Sequence, residues 1–442
     1  TLRDLQSLLG QYSVRAWLNF AARANLMLSP PNQNDIERGA HVLHAVFSRA
    51  QIDKFLELST RDVYGARWMP ATAAQFTLLQ ELALQYAPES DRMFEADADR
   101  EIFGRAILTV RDLMQPEYVN QNDTVGCLMQ AHAREPSDDF VDIVCRAWDL
   151  ISPNSASSYV NQLGIWFSQI TGVSLEDYIY GGFVVAMLHE STSIDQIAEG
   201  WRPTHQGYNV VNQVMRRCIG AFHAVRCAPL ALLRDTVRRV EADVDVSAYS
   251  GMGIGRYPII QLDNNQCFVL DHLEVARCIV DGVRTFLLEN VHSIGVNPSR
   301  VGELFGYLFE AYVERTLQGV LPTTYRALRR DGGPLADFVI DGQETVVIGE
   351  VKSSQLQRVR SATWTTTDAW IHGLSPVFDR AVEQLAASIS RMRRFERPFE
   401  RVRDWTTTRI VPLVVTLENL PQFPGTSSVY GRLTAALREV EL

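Results

Sequence analysis

Lysine is almost missing from this chain: of its 42 basic residues only Lys54 and Lys352 are lysine, and the rest are arginine. An arginine cannot readily give up a proton, so a lysine in such a chain stands out as a chemical choice. Other absences exclude whole classes. Neither lysine follows the glycines of a Gly-x-x-x-x-Gly-Lys-Ser/Thr loop, which removes a P-loop motor and leaves any ATP hydrolysis to another subunit. Cys127, Cys145, Cys218, Cys227, Cys267 and Cys278 lie far apart with no Cys-x-x-Cys pair. Neither a structural zinc site nor a disulfide framework is expected, and a reducing cytoplasm fits. The histidines show no metal spacing, His41 and His44 being three apart on a helical stretch. No run of 18 apolar residues exists and no charged-then-apolar leader opens the chain, so the expectation is a soluble, intracellular protein with no membrane partner.

What is present suits folded domains. The chain is 46% apolar and 21% charged, and 442 residues exceed what one core usually covers. The formal net charge of −10 is unevenly placed: from Val301 onward acids and bases balance, so the acidic excess lies in residues 1–300. Arg391, Arg393, Arg394, Arg397, Arg401 and Arg403 make a local basic run. It either meets phosphates or forms an exposed helix paired with Glu396 and Glu400.

Three regions follow from the patterning, an α+β multidomain chain. Residues 1–245 read as mostly helical, with apolar spacings of three and four in Leu5–Phe20, Gly39–Leu58, Ala73–Tyr86 and Tyr208–Val240. This is the regulatory or partner-binding region. Residues 246–297 read as a connector: a hairpin of Tyr257–Gln261 and Cys267–Leu270, then a helix near Leu273–Val291. Gly251-Met-Gly-Ile-Gly255 follows no apolar strand and opens no helix, which argues against a nucleotide loop. Residues 298–442 alternate: a helix over Pro298–Gln318, strands near Thr324–Ala327, Leu335–Ile340 and Thr345–Val351, a helix over Pro376–Phe395, a strand Arg409–Leu417 and a helix Val429–Val440. This describes an α/β sandwich around a mixed sheet.

The chemistry concentrates in the hairpin that ends at Lys352. With Asp341–Glu344 as a four-residue loop, Ile340 opposes Thr345 and Asp337 faces Ile348. Asp337, Glu350 and Lys352 then project from one face, the two carboxylates as diagonal neighbours roughly 7–8 Å apart. A one-residue slip would turn Asp337 to the other face. Two carboxylates supply hard oxygen ligands for Mg²⁺ or Mn²⁺, and an amine beside them can orient or deprotonate water and offset charge on a phosphate. The plain alternative is a solvated face with a cross-strand ion pair.

These residues resemble the PD-(D/E)xK nuclease superfamily, the restriction-endonuclease-like fold, over residues 298–442. In that likeness Asp337 is the motif aspartate, Glu350 the acidic residue and Lys352 the lysine, with Ala336 where the leading proline usually stands. Gly306-Tyr-Leu-Phe309-Glu310-Ala-Tyr312 matches the preceding helix that often adds a glutamate, so Glu310 is the assisting residue and Glu303 its substitute. Gln384 fits the glutamine of the following helix. The resemblance implies a Mg²⁺- or Mn²⁺-dependent endonuclease acting on DNA. Asp337, Glu350 and the Val351 carbonyl would be metal ligands, Lys352 and Glu310 would act on water, and Gln384 and Ser353 would contact substrate. Tyr325 and Arg326 are either substrate contacts or sheet packing. Members often dimerise, and a helical region would suit a bacterial antiviral defence or restriction-type effector with a protein activator. An RNA-directed nuclease and a catalytically silent recognition or assembly protein on the same fold are the alternatives.

Overall fold

The computed structural model describes residues 1–27, 46–53, 73–94, 97–114, 140–151, 158–191, 213–242, 252–261, 267–279, 281–328, 335–342, 345–353, 367–396, 398–399 and 408–416. Most of the expected helix Gly39–Leu58, the closing helix Val429–Val440, Lys54, Ser354, Arg397, Arg401 and Arg403 lie outside these residues. The described chain is mostly helical and forms two compact units. Among the described residues, one takes those up to Asn290 apart from Asp149–Leu163, and the other takes that segment and those from Val291 onward. No helix among the described residues is long and apolar enough to cross a membrane.

The first unit opens with α1 (Leu2–Leu9) and α2 (Val14–Met27), where the periodicity had suggested one helix. Ser13 separates them, its Oγ accepting the Ala16 N–H at 3.1 Å as an N-cap. Next come α3 (Ala73–Tyr86) and α4 (Asp97–Met114). Trp17, Phe94 and Phe103 form the aromatic centre of this half, and the Trp17 indole donates to the Leu9 carbonyl at 3.1 Å. Then follow α5 (Phe140–Ile151) and α6 (Ser158–Thr171), of which Asp149–Ile151 and Ser158–Leu163 are assigned to the second unit, then α7 (Leu175–Ser191) and α8 (Gln213–Arg226) in the first. Gly181 and Gly182 let α7 lie directly on α8: a Cβ on Gly181 would collide with the Cys218 carbonyl.

The expected long helix Tyr208–Val240 is interrupted. Strand β1 (Cys227–Pro229) separates α8 from α9 (Leu230–Ala242), because Pro229 cannot continue the helical hydrogen bonds. Beyond the five-residue α10 (Met252–Arg256), β2 (Ile259–Gln261) and β3 (Cys267–Val269) make the expected hairpin, with β1 added in parallel to β2. Helices α11 (His272–Cys278) and α12 (Asp281–Asn290) follow in place of one helix. The hairpin and both helices thus belong to the first unit, where the sequence had suggested a connector over 246–297. The glycine cluster serves packing. Gly253 and Ile254 donate their N–H groups to buried Glu81, and a Cβ on Gly253 would strike Val237.

A buried polar network ties these elements. Asp271 caps α11, accepting from the Leu273 and Glu274 N–H groups at 2.9 and 3.2 Å and from Thr77 Oγ1 of α3 at 2.8 Å. Beside it His272 is 2% exposed.

The second unit begins at a 3₁₀ turn, Val291–Ile294, and α13 (Pro298–Val320). Asn297 caps this helix and Pro298 occupies its first turn, where a missing N–H costs nothing. Its apolar stripe, Val301, Leu304, Phe305, Leu308, Phe309 and Val313, is buried. Strands β4 (Tyr325–Ala327), β5 (Phe338–Asp341) and β6 (Thr345–Lys352) run antiparallel in turn. After α14 (Thr367–Arg393), β7 (Arg409–Thr416) joins β6 in parallel, so the sheet is mixed with order β4-β5-β6-β7. Val339, Val346 and Ile348 pack under Leu385, Ile389 and Met392 of α14. The opposite face holds Phe338, which lies over Gly349 so closely that a Cβ there would collide with the ring.

Burial holds the His272 imidazole neutral, its pKa pushed down to about 4, with the Arg277 charge adding to the effect. Because the folded pKa lies below the ordinary value, His272's contribution is complete above about pH 6.5 and is lost as pH falls toward 4. The loss at the lower end amounts to about 3 kcal/mol. Asp271, raised by burial and by Glu274, acts in the opposite sense at lower pH because the native state takes up its proton more readily. Urea unfolding between pH 7 and pH 4.5 is expected to show falling stability, with a shallower slope in His272→Gln.

Candidate active site

The register of β5 against β6 decides where the functional groups lie. Phe338 pairs with Gly349, Val339 with Ile348, Ile340 with Val347 and Asp341 with Val346. The Gly342 N–H closes the end by donating to the Thr345 carbonyl at 3.0 Å, so the loop is tighter than the four-residue turn expected. The register is therefore shifted by two residues from the expected pairing of Ile340 with Thr345. A shift of two keeps side chains on their faces. Regular pairing starts at Phe338, so Asp337 stands just outside the ladder.

Where β5 begins, the Asp337 carboxylate takes over as a ladder acceptor. Its Oδ2 accepts the Val351 N–H at 2.8 Å, and its own N–H donates to the Gly349 carbonyl at 2.9 Å. Asp337 is half-buried. Glu350, on the strand β6 face that carries Ile348, is fully buried, and its Oε1 accepts from Lys352 Nζ at 2.5 Å. The Lys352 side chain is 16% exposed. Its ammonium also donates to Gln384 Oε1 at 2.9 Å. An ammonium has three N–H groups, and these two bonds leave one for a ligand.

Helix α14 fixes the group from above. Gln384 Nε2 donates to the Leu335 carbonyl at 3.3 Å, and Ser388 Oγ, one turn later, accepts the Ala336 N–H at 2.7 Å. These are the two ends of one peptide group, the one that joins Leu335 to Ala336. Gln384 and Ser388 thus clamp the entry to β5 while Gln384 also holds Lys352. Both side chains are buried, so in this arrangement Gln384 positions Lys352 from inside the protein rather than facing a substrate. Ser388 escaped notice in the sequence, although its place four residues after Gln384 puts it on the same helix face.

The remaining expected residues are more dispersed. Ser353 lies half-buried on the sheet face opposite Glu350 and Lys352, by strand alternation, near Gly306 of α13. Glu310, one turn beyond Gly306, is half-buried on that helix. Among the described residues no three His, Cys, Asp or Glu side chains are grouped to hold a metal ion, so Glu310 does not join the two carboxylates in one donor set. Glu303 is exposed and paired with Arg300 at 3.1 Å. Tyr325 is buried against Phe338, with ring centroids 5.8 Å apart, which makes it sheet packing. Burial, with the charges of Glu314 and Asp337, pushes its phenol up to about 12. Arg326 reaches Asp341 at 3.3 Å. In the basic run, Arg394 and Arg391 pair with Glu396 at 3.2 and 3.8 Å.

None of the protein-family models, curated proteins or solved structures compared with this chain matches it.

The Ser388 clamp yields a direct expectation. Ser388→Ala leaves the buried Ala336 N–H without its acceptor and should cost about 1–3 kcal/mol in urea unfolding. Ser390→Ala, on the same helix and half-exposed, should stay within about 0.5 kcal/mol of wild type.

Proposed function

We propose that the second unit hydrolyses phosphodiester bonds, with DNA as the substrate and Mg²⁺ or Mn²⁺ as the cofactor. The observation that carries this reading is the Lys352 ammonium 2.5 Å from the buried Glu350 carboxylate, with the Asp337 carboxylate bonded to the Val351 N–H between them in sequence. Carboxylate oxygens are the donors these cations take, and Mg²⁺ needs only one or two because it keeps several waters. Asp337 and Glu350 would hold the ion, with the Val351 carbonyl as a third ligand. A bound ion supplies polarisation of the phosphate and a lowered pKa for its water.

The chain's own residues would do the rest. Lys352, anchored by Glu350 and Gln384, directs its third N–H to a phosphate oxygen or to the attacking water and offsets the charge that builds there. Water oxygen bonds to phosphorus as the bond to the leaving oxygen breaks, and that oxygen takes up a proton. The acidic, helical first unit would regulate the nuclease by binding an activator or restraining access, which suits a bacterial defence or restriction-type effector by analogy.

One observation favours a second reading, a catalytically silent recognition or assembly protein. Asp337 Oδ2 is engaged by the Val351 N–H and Glu350 Oε1 by Lys352, so both carboxylates already serve the fold.

The test is cleavage of supercoiled plasmid, single-stranded DNA and RNA with Mg²⁺, Mn²⁺ or EDTA. The proposal expects metal-dependent cutting of DNA that falls about 10²–10⁴-fold in Lys352→Ala and in Glu350→Ala. Cutting that survives both substitutions would sink the assignment, cutting of RNA alone would redirect it, and no cutting under any condition is the outcome of the silent reading.

A further inference from the structure

A second chemical centre lies in the first unit, away from the carboxylates. Cys227 and Cys267 are 40 positions apart in sequence, yet their sulfurs are 3.9 Å apart. Each is the first residue of a short strand, β1 or β3, and the register places both on one face of the small sheet, on either side of β2. Cys267 is buried and Cys227 half-buried, so the pair is not sealed from solvent. His223 sits on α8 one turn before Cys227 and close to Cys267.

We propose that Cys267 is a reactive thiol that takes a hydroperoxide, with Cys227 as the partner that closes a Cys227–Cys267 disulfide. The first step needs a thiolate nucleophile. The hydrogen bond between the two sulfurs, and then the His223 imidazole, hold the Cys267 thiol below the ordinary cysteine range against the opposing effect of burial. The same hydrogen bond, with burial, raises Cys227. The Cys267 sulfur attacks one peroxide oxygen, the O–O bond breaks, and the other oxygen leaves as an alcohol, or as water from hydrogen peroxide. Cys267 is thereby oxidised by two electrons to the sulfenic acid. The Cys227 sulfur then attacks it, the S–O bond breaks, and water leaves with the Cys227 proton. Strands on either side of β2 stand roughly 9–10 Å apart and a disulfide needs Cα atoms within about 7 Å, so closing the bond draws the two strand ends together over β2 as the sulfurs approach by roughly 2 Å.

The other described thiols lack these features. Cys218 lies 3.5 Å from Asp177, and burial with that carboxylate raises it. Cys278 donates to the Gly255 carbonyl at 3.2 Å. Cys145 is exposed.

The experiment treats the reduced full-length protein with one equivalent of hydrogen peroxide, blocks remaining thiols with N-ethylmaleimide and maps peptides by mass spectrometry without reduction. The expected result is an intramolecular Cys227–Cys267 link forming about tenfold faster than any modification of Cys218 or Cys278. In Cys227→Ser, at the half-buried position, dimedone should trap a sulfenic acid on Cys267. Oxidation of other cysteines before this pair would overturn the proposal. So would failure of the link to form in the wild-type protein, which needs no variant to fold, or dimedone capture on Cys227 in Cys267→Ser.

Discussion

The candidate active site rests on one buried ion pair. Glu350 has no exposed surface, and the Lys352 ammonium 2.5 Å away offsets its charge with a charge-assisted hydrogen bond. Removing two ions from water costs several kcal/mol each, and a pair of apolar residues of similar size would often hold such a sheet at least as well. A buried acid–amine pair is thus weak evidence for stability and better evidence for a chemical use. In a chain that replaces lysine by arginine almost everywhere, Lys352 reinforces that view.

Everything around the pair serves its position. Gln384 bonds the ammonium at one end and the Leu335 carbonyl at the other, and Ser388 takes the adjoining Ala336 N–H. One helix face therefore fixes the entry of β5 and the end of β6 together. At the end of that register the Asp337 carboxylate meets the Val351 N–H, and Gly349 leaves room for Phe338 on the reverse face. Charge, helix clamp and strand register form one assembly, so perturbing any of them should move the others.

Much of this was legible in the residues, and the failures have physical causes. Helix Ala73–Tyr86 matched its apolar spacing because the Ala87-Pro88 break ends it cleanly. The strands of the second unit lie where the alternation of short apolar segments and helices had put them. The hairpin register was not, since Asp341-Gly342 looks like the centre of a turn yet takes part in the pairing. Pro376 looked like a helix start, whereas α14 begins at Thr367 and runs through it. Strand β1 carries only three residues, too few to show a period, and was merged into a helix. Within the site, the identities of Asp337, Glu350 and Lys352 could be read from spacing. The clamp by Ser388 could not, because a serine's buried partner is a backbone group with no sequence signature.

The most direct measurement is a Mn²⁺ titration of the full-length protein by isothermal calorimetry, comparing wild type with Asp337→Asn. The account predicts a Mn²⁺ site in the wild type whose affinity falls at least about tenfold in the variant, as loss of one charged oxygen ligand requires. Equal binding by both proteins, or none by the wild type, would contradict the claim that Asp337 and Glu350 form a metal-dependent catalytic pair.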